Sequence, residues 1–183
     1  MNQQNIIQRR LVTDNWLENF SKTGNGQLKT LTNSMSPLIQ AGDSVCIKRM
    51  TVPSKIHIGD ILAFWHGNML ITHRVIRKIK KNNAIWFLER ADRSPQTSLV
   101  KQKDVVGRVS QIIKKDSVFD LESNKMKLCN RVLGFIFLSE WIIRLYGNRV
   151  KGPFCFLKTT AKHFYLFLKS LLHRLMSKSV KTK

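Results

Sequence analysis

Between residues 28 and 113 the chain never sustains an apolar run long enough for a buried helix. Instead it breaks into short β-branched and apolar segments: SVCIKR at 44–49, DILAFW at 60–65, MLITHRVIRKI at 69–79, AIWFLER at 84–90 and VVGRVSQII at 105–113. Gly, Asp and Asn separate them. Segments of this length, rich in Val, Ile, Phe and Trp and bounded by turn formers, are strands. The pair around HGN at 66–68 and the pair around KKNNA at 80–84 read as hairpins, because Gly and Asn supply the positive φ that tight turns need.

The flanks have a different texture. Residues 5–20 set Ile6, Ile7, Leu11, Trp16, Leu17 and Phe20 at helical spacing, with Arg9, Arg10, Asp14 and Glu18 largely on the other side. SKTGNGQ at 21–27 then stacks turn formers and ends that helix. After residue 114 long helical stretches mix apolar residues with Lys and Arg, and 154–176 carries a broad Phe, Leu and Tyr face with Lys158, Lys162, Lys169 and Arg174 between. The expected architecture is mainly β: an amphipathic N-terminal helix over 1–27, a β domain over 28–115 and a basic amphipathic helical tail over 116–183. A length of 183 residues suits one domain with appendages.

The net charge of +21 attracts anionic partners, whether a membrane surface, nucleic acid or acidic peptide. Cys46, Cys129 and Cys155 are odd in number and lack C-x-x-C spacing, which argues against a disulfide framework or zinc site and fits a reducing compartment. The N-terminal residues lack the uninterrupted apolar core of a signal peptide. The most apolar run, VLGFIFLSEWII at 132–143, contains Glu140 and falls short of the about twenty residues a spanning helix needs. A cytoplasmic chain is expected, peripheral at a membrane if the 132–176 region lies along an anionic surface.

Four stretches carry chemistry: TNSMSPLIQAGDSVCIKR at 32–49, IHIGDILAFW at 56–65, LITHRVI at 70–76 and FLERADRS at 87–94. In order and spacing they resemble the signature boxes of the signal peptidase I and LexA-like serine peptidases. The nucleophile box is Asn33-Ser34-Met35-Ser36-Pro37 followed by Gly42-Asp43, and a second Gly-Asp stands at 59–60. Where bacterial members place a lysine before Arg, this chain has His73-Arg74-Val75, which resembles the Ser-His subgroup of the endoplasmic reticulum. The Gly-Asp of that subgroup's last box is here Ala91-Asp92. The resemblance covers about half of the chain and implies a signal peptidase/LexA-like β domain that cleaves a peptide or precursor protein.

Elementary chemistry suits those roles. A serine hydroxyl needs a neighbouring base to take its proton as it attacks a carbonyl, and imidazole, with an ordinary pKa of about 6.5, is fitted to that. Ser34 is therefore the expected nucleophile and His73 its base, with Asp92 expected on the far imidazole nitrogen to fix the tautomer. The Ser34 N–H and the Thr32 hydroxyl, the latter by analogy with the bacterial branch, are expected at the oxyanion. Met35, Pro37 and Arg74 fall on the substrate side: Met35 near the cleft or equally in the core, Pro37 stiffening the loop, and Arg74 holding a carboxylate or lying at a solvated strand edge.

His57, His66, His163 and His173 show no metal-ligand spacing, and no Walker or dinucleotide glycine motif occurs, so neither metal nor cofactor is expected. Two further function classes stay open. One is a binding module that keeps the peptidase scaffold without turnover. The other is a LexA-like regulator binding nucleic acid, disfavoured because only about thirty residues and one convincing helix precede the first box.

Overall fold

The computed structural model describes residues 15–52 and 55–146. The described residues form a curled antiparallel half-barrel sheet with two helices. Its strands are β1 (Asn25–Lys29), β2 (Ser44–Arg49), β3 (Ile61–His66), β4 (Met69–Lys81), β5 (Ala84–Arg90), β6 (Thr97–Lys101), β7 (Val105–Lys114) and β8 (Ser117–Asp120). Helix α1 covers residues 15–23 and α2 covers Asn124–Tyr146. The order across the sheet is β1-β2-β7-β3-β4-β5-β6, with β8 also on β7. β7 serves two partners along one edge: β3 pairs with its first half, and β8 with its last residues.

The hairpins follow from their turn residues. His66 pairs with Met69 across Gly67 at φ 57°, and Lys81 pairs with Ala84 across Asn82 and Asn83 at φ 49° and 56°. Two successive left-handed residues give the turn twist that matches flanking strands.

Both Gly-Asp pairs build one device. The Asp43 carboxylate accepts from the Gln40 N–H at 2.8 Å and the Asp60 carboxylate from the His57 N–H at 2.9 Å, each closing a turn three residues long. Gly42 and Gly59 take the positive φ these turns need, 94° and 95°, and each pair launches a strand. At Gly59 the fit is tighter still, because a Cβ would lie 2.2 Å from the Asn130 carbonyl oxygen on α2.

Three apolar clusters fill the body. The largest joins Phe20 of α1, Met35, Leu38 and Ile39 of the 33–40 loop, Val45, Ile47, Ile61, Ala63, Val109 and Ile112 of the sheet, and Met126, Cys129 and Leu133 of α2. A second packs Leu62, Phe64, Val75, Phe87 and Val100 on the opposite sheet face, and a third seats Phe137 of α2 on Ile76 and Leu88. Arg90 stacks over the Phe137 ring at 4.0 Å and pairs with Glu140 at 2.8 Å, a cation–π contact and an ion pair that fasten α2 to β5.

Three stretches differ from expectation. NGQLK, read as part of a turn, is strand β1; Gly26 is there because the stacked rings of Trp16 and Phe20 occupy the space a side chain would take. The region from 116 opens with a strand, β8, before any helix. α2 then contributes Met126, Leu133 and Phe137 to the core, so this helix is integral to the packed body. The start of the leading helix at 5–14 and the 154–176 stretch lie outside the described residues, as do Cys155, His163 and His173. No helix among the described residues is long and apolar enough to cross a membrane.

Candidate active site

Strand periodicity separates two neighbouring residues. His73 and Arg74 are consecutive on β4, so their side chains leave opposite faces of the sheet. Arg74 faces α2, and His73 faces the second cluster, with the edge of its ring against Phe64 at 6.0 Å.

On its face, His73 sits diagonal to Glu89 of β5, whose direct partner on β6 is Ser98. His73 Nδ1 lies 2.6 Å from Glu89 Oε2, and the other Glu89 oxygen accepts the Ser98 hydroxyl. The Glu89 side chain is 5% exposed and that of His73 19%. A carboxylate has only acceptor oxygens, so Nδ1 is the ring nitrogen that donates here, and in the neutral imidazole the lone pair then stands on Nε2. No hydrogen bond to Nε2 is found among the described residues. His73 and Glu89 line a cleft of about 460 Å³ with Phe64, Ile71, Ala91 and the β6 residues Thr97 and Ser98.

On the other face, Arg74 is fully buried and its hydrogen bonds are structural ties. Its Nε and one terminal nitrogen donate to the two Asp92 oxygens at 2.8 and 2.7 Å, and the other terminal nitrogen donates to Gly59 O at 2.9 Å and Asn130 Oδ1 at 2.7 Å. One guanidinium thus holds together β4, the 91–94 turn, the Gly59 turn and α2. Asp92 is therefore found with Arg74, and not on His73 where the sequence leads one to expect it; the carboxylate on His73 is Glu89. Arg74, expected at the substrate, has no surface to offer one.

Ser34 is half-buried in the loop before β2, and Met35 beside it is 1% exposed in the main core, not at the cleft. The loop is held by Ala41 N–H donating to the Asn33 side chain at 2.9 Å, and the Ser36–Pro37 bond is cis. Pro37 is half-buried and does not line the His73 cleft. Arg93 N–H donates to Ser34 O at 3.0 Å, so the serine is tied to the turn that follows β5. Asp92, one residue back in that turn, is tied to the residue after His73. The Thr32 hydroxyl stands 3.4 Å from Ser34 Oγ, at the outer limit of a hydrogen bond. The Ser34 N–H has no acceptor among the described residues, and Ser34 is not hydrogen-bonded to His73 there either.

Glu89 was missed in the sequence, although AIWFLER carries a signal: an acidic residue inside an otherwise apolar strand needs a buried partner. Among the described residues no group of His, Cys, Asp and Glu is arranged to hold a metal ion. No family model matches the chain, and comparison with curated proteins finds no match.

Proposed function

We propose that the chain is a serine endopeptidase of signal-peptidase type, in which Ser34 attacks a peptide carbonyl and His73 takes its proton. The observation that carries this reading is the His73–Glu89 pair at 2.6 Å, which fixes the imidazole with its basic nitrogen unpartnered, on the strand tied through the 91–94 turn to the Ser34 loop. Glu89 holds the tautomer and stabilises the imidazolium formed during attack, the role a buried carboxylate has in a serine triad. The free Ser34 N–H and the Thr32 hydroxyl are the donors available to the oxyanion. Ser34 is not among the residues lining the His73 cleft, so this mechanism requires the Ser34–His73 hydrogen bond to form on substrate binding, and catalytic hydrogen bonds are often long in an empty site.

The signal-peptidase scaffold enters here by resemblance of the four boxes, and the mainly β half-barrel is compatible with it. β6 ends the strand order and lines the His73 cleft, so its outer edge can receive an extended peptide by main-chain pairing. The test is cleavage of candidate precursor peptides by the parent and by Ser34→Ala and His73→Ala variants. Loss of cleavage in both variants supports the mechanism; equal rates in all three refute it.

The missing Ser34–His73 hydrogen bond is also what a binding module without turnover would have. Tight retention of a peptide by the parent protein with no product over many hours decides for that second reading.

A further inference from the structure

α2 turns two different faces to its surroundings. Met126, Cys129, Leu133 and Phe137 point into the body, while Leu128, Phe135 and Ile142, seven residues apart, are 64%, 56% and 41% exposed. Ile143 and Leu145 widen that stripe at 40% and 50% exposure. A helix face bathed in water is ordinarily polar, and large apolar residues exposed at every second turn along one line of a surface helix mark something it meets.

The charges beside the stripe say what that is. Its N-terminal end borders a cleft of about 450 Å³ walled by Lys48, Arg49, Lys55, Arg108, Lys127 and Arg131, against two carboxylates, Asp60 and Glu122. Glu122 is taken by Lys48 and Arg108, and Arg49 is turned onto Phe20. The Lys55, Lys127 and Arg131 side chains make no ion pair among the described residues, and the last two stand on α2 along one flank of Leu128. Neither the remainder of this chain nor a second copy answers that charge, since residues 147–183 contain nine Lys and Arg and no Asp or Glu, and the whole chain is +21. A nucleic acid supplies phosphates but no apolar layer to receive Leu128 and Phe135.

We infer that the outer face of α2, together with the adjoining basic cleft, docks onto an anionic lipid surface: Leu128, Phe135 and Ile142 enter the headgroup region while Lys55, Lys127 and Arg131 hold lipid phosphates. An amphipathic helix with cations beside its apolar face binds in this way. α2 covers the sheet face opposite His73, so docking leaves the His73 cleft open to a substrate that arrives from water. The inference does not depend on the peptidase reading.

The experiment is co-sedimentation of the full chain with vesicles of phosphatidylcholine alone and of phosphatidylcholine mixed with phosphatidylglycerol. The parent should bind the mixed vesicles and not the neutral ones. Leu128→Glu with Phe135→Glu should weaken that binding at least tenfold, as should Lys127→Glu with Arg131→Glu, while Phe135→Leu retains it. All four positions are on the surface or its margin, and circular dichroism checks that each variant folds. Unchanged binding in the Leu128→Glu/Phe135→Glu variant would overturn the inference, because residues 147–183 would then suffice. So would a parent that stays in the supernatant, or a self-association without vesicles that the same two substitutions abolish.

Discussion

Replacing Asp92 with Ala should destabilise the fold by an amount that can be worked from its partner. Arg74 is fully buried, and Asp92 accepts two hydrogen bonds from it at 2.8 and 2.7 Å. Removing one member of a buried ion pair leaves an uncompensated charge and costs about 3–5 kcal/mol. At about 3 °C per kcal/mol for a body of this size, the melting temperature should fall by about 9–15 °C. The double replacement Arg74→Leu/Asp92→Leu should recover at most part of the loss. It removes both charges but orphans Gly59 O and Asn130 Oδ1, which now accept from Arg74; at the lower end of about 1–3 kcal/mol each, recovery is partial, and at the upper end there is none. Urea and thermal unfolding followed by circular dichroism measure all three proteins. If Asp92→Ala stays within about 1 kcal/mol of the parent while peptide cleavage is abolished, Asp92 acts on the chemistry and the assignment to Arg74 is refuted.

Glu89→Gln should cut kcat by about 10²–10⁴ with little change in KM, because the neutral amide no longer fixes the His73 tautomer or supports an imidazolium. Gly59→Ala should cost at least about 2 kcal/mol in a urea titration, since φ is 95° and the new Cβ meets the Asn130 carbonyl at 2.2 Å, forcing the turn off α2. Burial pushes the Glu122 pKa up, but Lys48 and Arg108 outweigh it and hold the folded value below the ordinary 4.5. Its stabilising contribution is therefore present above about that pH and lost as pH falls through the folded value. For so exposed a pair it is under about 1 kcal/mol, and Glu122→Gln should flatten the acid limb of the stability curve by that amount.

Much of the sheet was legible because local chemistry and tertiary need agreed. SVCIKR coincides with β2, and the Gly-Asn and Asn-Asn turns stand where the hairpins close, since positive φ is a demand few residues meet. β1 was not legible: Gly26 and its neighbours look like a turn until the rings of Trp16 and Phe20 are laid over them. β6 and β8 are short and mostly exposed, one with Val100 as its single buried residue, so their apolar pattern was too weak to read. The site divided in the same way. The resemblance drew attention to Ser34, His73 and Asp92 together, but a carboxylate's partner depends on which sheet face it reaches. The strand pleat sends His73 to Glu89 and Arg74 to Asp92, and neither pairing is written in the order of the residues.

If Ser34 forms a covalent acyl intermediate with His73 as its base, exposure to a peptidyl phosphonate or fluorophosphonate should leave a trace that intact-mass and peptide-mapping mass spectrometry reads. One adduct is expected, on Ser34, that disappears in His73→Ala and forms more slowly in Glu89→Gln. An adduct on another residue, or labelling of Ser34 that proceeds equally well without His73, would contradict that mechanism.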